Sequence, residues 1–248
     1  MLQKEIIERY KVLNYPEWKR VGDVQKSDVI QSLDSKDVLR IEHKKGNLLS
    51  GMHIHHIHGK TDNVDEVFYN PYQKVLKKFS NYSYGTHEKY IRQAEGFFDE
   101  AVVVEVEENT IVEEPVFLNY NSEKVNGFID QNLIIAKKGA SITLVFDYRS
   151  SNTDQGYHNG LIRILAEENA TVKIILLQTF SNQIDHIQNT ASLIGDYAHV
   201  EYVSFDLGSN VIVSDYSAHL LGDSSESEVI TAYIGNDHQR LDLGYNST

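Results

Sequence analysis

The chain has 248 residues, 41% of them hydrophobic and 24% charged, with only 3 prolines; that suits one large domain with a sizeable core and is unlike a disordered, collagenous or coiled-coil sequence. A formal net charge of −13 and a pI near 5.2 repel phosphate backbones and anionic lipid heads, so neither nucleic acid nor a membrane surface is an expected partner. The absence of cysteine excludes, within this chain, a disulfide framework, a thiolate nucleophile and a Cys-ligated zinc or iron–sulfur site.

The opening MLQKEIIERYKVLNY lacks the apolar stretch of a signal peptide, and no apolar run approaches membrane-spanning length, so the expectation is a soluble cytoplasmic protein. LQKEIIERYKVL carries apolar residues at helical spacing, and Pro16 fits a stop after it. Two further short helices are predicted over PYQKVLKKFS, with Pro71 in the first turn, and over HEKYIRQAEG, ending at Gly96. Residues 1–96 thus read as a helical and irregular N-terminal region.

Within that region His53, His55, His56 and His58 form the one dense cluster of metal-capable side chains in the sequence. On a strand, His53 and His55 share one face and His56 and His58 the other. Each pair offers two positions to zinc or iron, because neutral imidazole nitrogen suits borderline metals, and Asp62, Asp65 or His43 would complete a shell. The plainer reading is a surface strand of unliganded histidines, since two-residue spacing arises easily by chance. Gly59-Lys60-Thr61 resembles the tail of a phosphate loop, but Ile54 stands where the first glycine is required, so no such loop is expected.

From Phe97 to Thr248 the texture changes to β-branched alternation, and five segments repeat. Anchored on the small residue after each turn, at Thr110, Ala140, Ala170, Ala198 and Ser225, the spacings are 30, 30, 28 and 27 residues by subtraction. Four positions before the anchor stand Val106, Ala136, Ala166, Ile194 and Leu221; two after it stand Val112, Ile142, Val172, Val200 and Ser227. Four after it come Glu114, Leu144, Ile174, Tyr202 and Val229, whereas three after it come the polar Glu113, Thr143, Lys173, Glu201 and Glu228. Inward and outward alternation repeated at a fixed period is what a solenoid rung needs, because one rung cannot bury its inner face alone. An antiparallel sandwich also alternates, but does not require one offset to stay apolar through every copy. The fold expected over residues 97–248 is a right-handed parallel β-helix. His219, six before its anchor, is expected to point inward as a neutral core histidine.

These same residues resemble the SufB/SufD family, the paired scaffold subunits of the SUF iron–sulfur assembly system. FFDEAVVVEVEENTIVEEPVFL is similar to the family's entry into its β-helix, and NGLIRILAEENATVKIILLQTFS, HVEYVSFDLGSN and the closing GNDHQRLDLGYNST follow in the family's order. The resemblance runs from about Phe97 to Thr248. It implies a scaffold without catalysis of its own, working with a SufC-type ATPase and a SufB-type paralogue, and holding no iron–sulfur cluster except in complex. It implies too that the ATPase docks on a part of the family pattern beyond this sequence, where the SufB-type cysteine and the SufD-type histidine also lie. Lacking cysteine, the chain is more like the SufD type. His238 and Asp242, in the rung similar to the family's closing "HQ…D", are candidate functional residues, and the end of the β-helix from about Val229 to Tyr245 is the expected dimer surface.

Two other function classes stand beside this reading. A carbohydrate-active β-helix of the lyase or glycosidase kind shares the architecture, although such enzymes are mostly secreted and gather carboxylates in a groove. A metal-binding protein would use the histidine run.

Overall fold

The computed structural model describes residues 2–16, 39–42, 50–122, 127–151, 155–236 and 238–248. The predicted helices form as α1 (Gln3–Val12), α2 (Asn70–Phe79) and α3 (Glu88–Phe97), with a π-helical turn at Asp65–Tyr69 leading into α2. Two strands precede the repeats, β1 (Leu39–Glu42) and β2 (Met52–His58), and β2 is the histidine run. The repeats supply β3 (Glu100–Val106), β4 (Val116–Asn121), β5 (Gly127–Ala136), β6 (Ser141–Arg149), β7 (Gly156–Ala166) and β8 (Thr171–Thr179). They continue with β9 (Ile184–Ile194), β10 (His199–Asp206), β11 (Val211–Leu220), β12 (Glu226–Tyr233) and β13 (Arg240–Ser247).

These strands stack into two sheets, ordered β1-β4-β6-β8-β10-β12 and β13-β11-β9-β7-β5-β3-β2. All pairs are parallel except β1 with β4 and β2 with β3, so the repeats form a parallel β-solenoid of about 5 turns. The register confirms the periods of the sequence: Ser141 lies beside Thr171, Thr171 beside His199 and His199 beside Glu226.

One device makes each corner. The residue before every anchor adopts a left-handed backbone: Asn109 (φ 56), Gly139 (φ 68), Asn169 (φ 58), Tyr197 (φ 55) and Ser224 (φ 52). Asn and Gly tolerate this region best, which accounts for the small polar turns of the repeat. The turns also chain to one another: the N–H of Asn109 donates to Lys138, that of Gly139 to Glu168, that of Asn169 to Asp196 and that of Tyr197 to Asp223, at 2.8–2.9 Å. After the corner, Ile142, Val172 and Val200 stack inside at 0–2% exposure, while Lys173 and Glu201 pair outside at 2.8 Å. Burying each such aliphatic side chain contributes roughly 1.5–3 kcal/mol, and only adjoining rungs make that burial complete.

Two expectations need correcting. In the first rung Ile111 bridges Ser141, yet Val116 pairs with Leu144, so two extra residues enter between them. The inward equivalent of Leu144 is therefore Val116, fully buried, and not Glu114. An insertion of even number keeps the facing of every later side chain, and Pro115, which has no N–H to give a ladder, fits an interruption of this kind. In the last rung Ala218 pairs with Ser192 and Leu220 with Ile194, so His219 lies beside Leu193 and points outward. One extra residue in the following turn shifts the count, leaving Leu221 48% exposed. His219 stacks on Tyr82 (4.7 Å between centroids) and its Nδ1 shares a 2.9 Å hydrogen bond with Thr248 Oγ1; burial lowers its pKa, so it is a neutral packing residue.

The N-terminal helices cover the outer face of the seven-stranded sheet. Phe68, Phe79, Ile91, Ala94 and Phe98 form a second core with Ile129, Leu133, Leu161 and Leu193. Polar contacts fix the layer in place. Arg163 on β7 donates to Glu95 (2.8 Å) and Gln131 (2.7 Å), Tyr157 donates to Gln93 (2.7 Å), and Asn159 donates to the Tyr90 carbonyl (2.8 Å).

Candidate functional site

Inside the solenoid, half of the cross-section is aliphatic and half is polar. Val102, Val104 and Val106 with Ile134, Ala136, Ile162 and Ile164 make the aliphatic half. Upstream on the same inward face runs one register column, Glu100–Asp130–Gly160–Gln188–Ser214–Leu243. Beside it runs a second, Phe128–His158–His186–Ile212–Leu241. Glu100, Asp130, Gly160 and Gln188 each stand ten residues before their anchors, an even offset, so a charged residue at an inward position was already visible in the sequence.

The polar half is a connected chain. Asp130 Oδ2 accepts from Asn132 (2.6 Å) and Tyr148 (3.1 Å), and Tyr120 donates to Asn132 (2.8 Å). Asp130 Oδ1 meets His158 Nε2 at 2.7 Å, and His158 Nδ1 meets His186 Nδ1 at 2.7 Å. Desolvation pushes the Asp130 carboxyl up to about 8, helped by the nearby Glu100 charge, whereas Tyr148 and Asn132 oppose the rise. The same desolvation lowers His158 to about 3 and holds His186 well below its ordinary value, with His158 adding to the effect on His186. Burial thus opposes charge on all three groups, and at neutral pH the chain holds its protons without a net charge. With Oδ2 accepting twice, a proton carried by Asp130 would sit on Oδ1, between the carboxyl and His158 Nε2. Tyr120 and Tyr148, stacked at 4.9 Å, and Phe180 wall it from solvent.

At the first rung the polar half opens to the surface. β2 pairs antiparallel with β3, His58 opposite Glu100 and His56 opposite Val102, so both imidazoles reach the same carboxylate. His56 Nε2 lies 2.7 Å and His58 Nδ1 2.9 Å from Glu100 Oε2. The histidine run is a strand, and its two faces part as its alternation predicts. His53 and His55 are exposed on the other face, His53 being 3.7 Å from Glu107. Glu100, 44 residues from His56, takes the place that Asp62 or Asp65 was expected to fill. Asp62 instead accepts the His58 backbone N–H (2.8 Å) and Asp65 that of Gln3 (2.9 Å); His43 lies outside the described residues.

The other candidates do not converge. His238 is exposed in the turn before β13, and Asp242 is half-buried on β13 opposite Val213; no hydrogen bond or ion pair joins them. A cavity of about 730 Å³ beneath residues 80–87 reaches Arg163, whose two Nη atoms donate to Glu95 and Gln131.

The fold and its polar column define the class: a parallel β-solenoid with a helical layer on one sheet and a capped first rung. Residues 117–248 match the family model described as SUF system FeS cluster assembly, SufBD core domain. The chain belongs to this SufBD family. It is 23% identical over 129 residues to iron–sulfur cluster assembly SufBD family proteins of Staphylococcus haemolyticus and Staphylococcus aureus, and 22% identical to that of Staphylococcus saprophyticus. The alignment covers 52% of this chain and 28% of each relative, so the chain spans only a minor part of the proteins it matches.

Proposed function

We propose that this chain is a non-catalytic, SufD-like scaffold subunit for iron–sulfur cluster assembly in the cytoplasm, acting with a SufC-type ATPase and a SufB-type paralogue. The observation that carries the reading is the coincidence of the matched core, residues 117–248, with the stacked rungs up to strands β12 and β13. In this reading those strands meet the paralogue, or a second copy of the chain when the paralogue is absent, and the ATPase docks on the longer family pattern. The partner supplies the thiolates, since stable clusters usually rest on several of them and this sequence has none.

The test is co-purification of the full native chain with a SufC-type ATPase and a SufB-type protein from the same cell. A complex of all three is expected, with iron and acid-labile sulfide in the complex and not in the isolated chain. A chain that binds neither partner, or that carries a cluster alone after anaerobic purification, would overturn the proposal.

A further inference from the structure

The clasp of His56, His58 and Glu100 lies at the capped end, away from β12 and β13, and the scaffold reading leaves it without a role. Three observations bear on it. First, the carboxylate is buried: the Glu100 side chain is 4% exposed, and among the described residues the two histidines are the basic side chains that reach it. A carboxylate held so far from water favours a cation beside it, and the two imidazole nitrogens that reach it are donors a metal ion would use. A net charge of −13 on the whole chain favours a cation further.

Second, the donor atoms are already gathered, all within 4.8 Å of one another. An ion with bonds of about 2.0–2.1 Å to nitrogen and oxygen sets its ligand atoms roughly 3 Å apart, within reach of small side-chain rotations here. Third, the strand end that carries them is pinned. The Gly59 N–H donates to the Asp99 carbonyl (2.8 Å), Lys60 pairs with Asp99, and Asp62 holds the His58 N–H. Meanwhile the His56 and His58 side chains remain 28% and 46% exposed, which gives an ion a path in and leaves room for water.

We propose that His56, His58 and Glu100 form a mononuclear site for a first-row transition-metal dication such as Zn²⁺ or Fe²⁺, with water in the remaining positions. Two imidazoles and one carboxylate suit these borderline ions; magnesium and calcium favour all-oxygen sets, and soft ions favour thiolates. The site needs no partner protein, so it stands or falls apart from the scaffold reading.

The experiment titrates the metal-free chain with Co²⁺ followed by its visible absorption, then with Zn²⁺ and, anaerobically, Fe²⁺ by calorimetry. One ion per chain is expected, with affinity lowered about tenfold or more in His56→Ala and His58→Ala and unchanged in His53→Ala and His55→Ala. Glu100→Gln should lose binding too; because Glu100 is buried, its thermal melt is recorded, and the exposed His58→Ala decides if that variant fails to fold. Binding that survives His58→Ala, binding lost equally in His53→Ala, or no uptake of any of the three ions by the folded chain would each overturn the site.

Discussion

The first and last described rungs are built from the same repeat and are paired differently. At the first rung β1 and β2 turn antiparallel onto β4 and β3, pairing both sheet edges, and Leu39, Ile41, Met52 and Ile54 close the core. At the last rung β12 and β13 each pair on one side only. There Val229, Ile230, Tyr233, Ile234 and Tyr245 stand 37–65% exposed. Even the register column changes character along the stack, from Glu100 and Asp130 at the capped end to Leu243 at the other. Burial between neighbours makes the interior rungs alike, whereas the first rung, closed by the strands that precede it, carries the polar groups.

The largest effect should come from breaking the cap. A Cβ on Gly59 would lie 1.8 Å from the Phe98 carbonyl oxygen, at the point where β2 leaves β3. Gly59→Val should force the two strands apart, exposing Met52 and Ile54, at a cost of about 4 kcal/mol or more. Denaturant unfolding measures it, and a loss below about 1 kcal/mol would mean that the cap is not part of the cooperative unit.

A smaller, pH-dependent effect belongs to the polar column. The unfolded chain releases the Asp130 proton near 3.8 but the folded chain keeps it to about 8, so stability falls as pH rises between those values. His158 and His186 stay neutral when folded yet charge below about 6.5 when unfolded, so their contribution is present above 6.5 and lost as pH falls. Together these groups place a stability maximum near pH 6.5. Asp130→Asn should remove the alkaline limb, a difference on the order of 2 kcal/mol in slope between pH 6.5 and 8. Unfolding curves over that range check it; an unchanged slope would move the buried charge elsewhere.

The smallest change in stability should accompany the clearest change in assembly. Leu241→Glu with Leu243→Glu places charge at the uncovered end, where both leucines are half-buried. Self-association measured by light scattering should weaken, while unfolding stability changes by about 1 kcal/mol or less. A wild-type chain that is already monomeric at tens of micromolar would instead show that these last strands close the end unaided.

The strand alternation, the periods of 30, 30, 28 and 27 residues and the three helices were legible in the sequence because each depends on local spacing. The absence of thiolate chemistry was legible as composition. What the sequence left hidden is where local spacing slips: the two residues before Val116 and the single residue after Leu220 change which side chain meets which, and only cross-strand pairing reveals it. Strand β1, four residues long, carries too few positions to declare a period. The face on which His56 and His58 lie follows from alternation, but their partner does not. Glu100 reaches them from 44 residues away because β2 reverses direction against β3, and the register of that pairing is set by packing Met52 and Ile54 onto the core and Ile57 beneath the helices. Periodicity fixed which residues face inward only where a rung runs without an insertion; pairing and burial across rungs decided the rest.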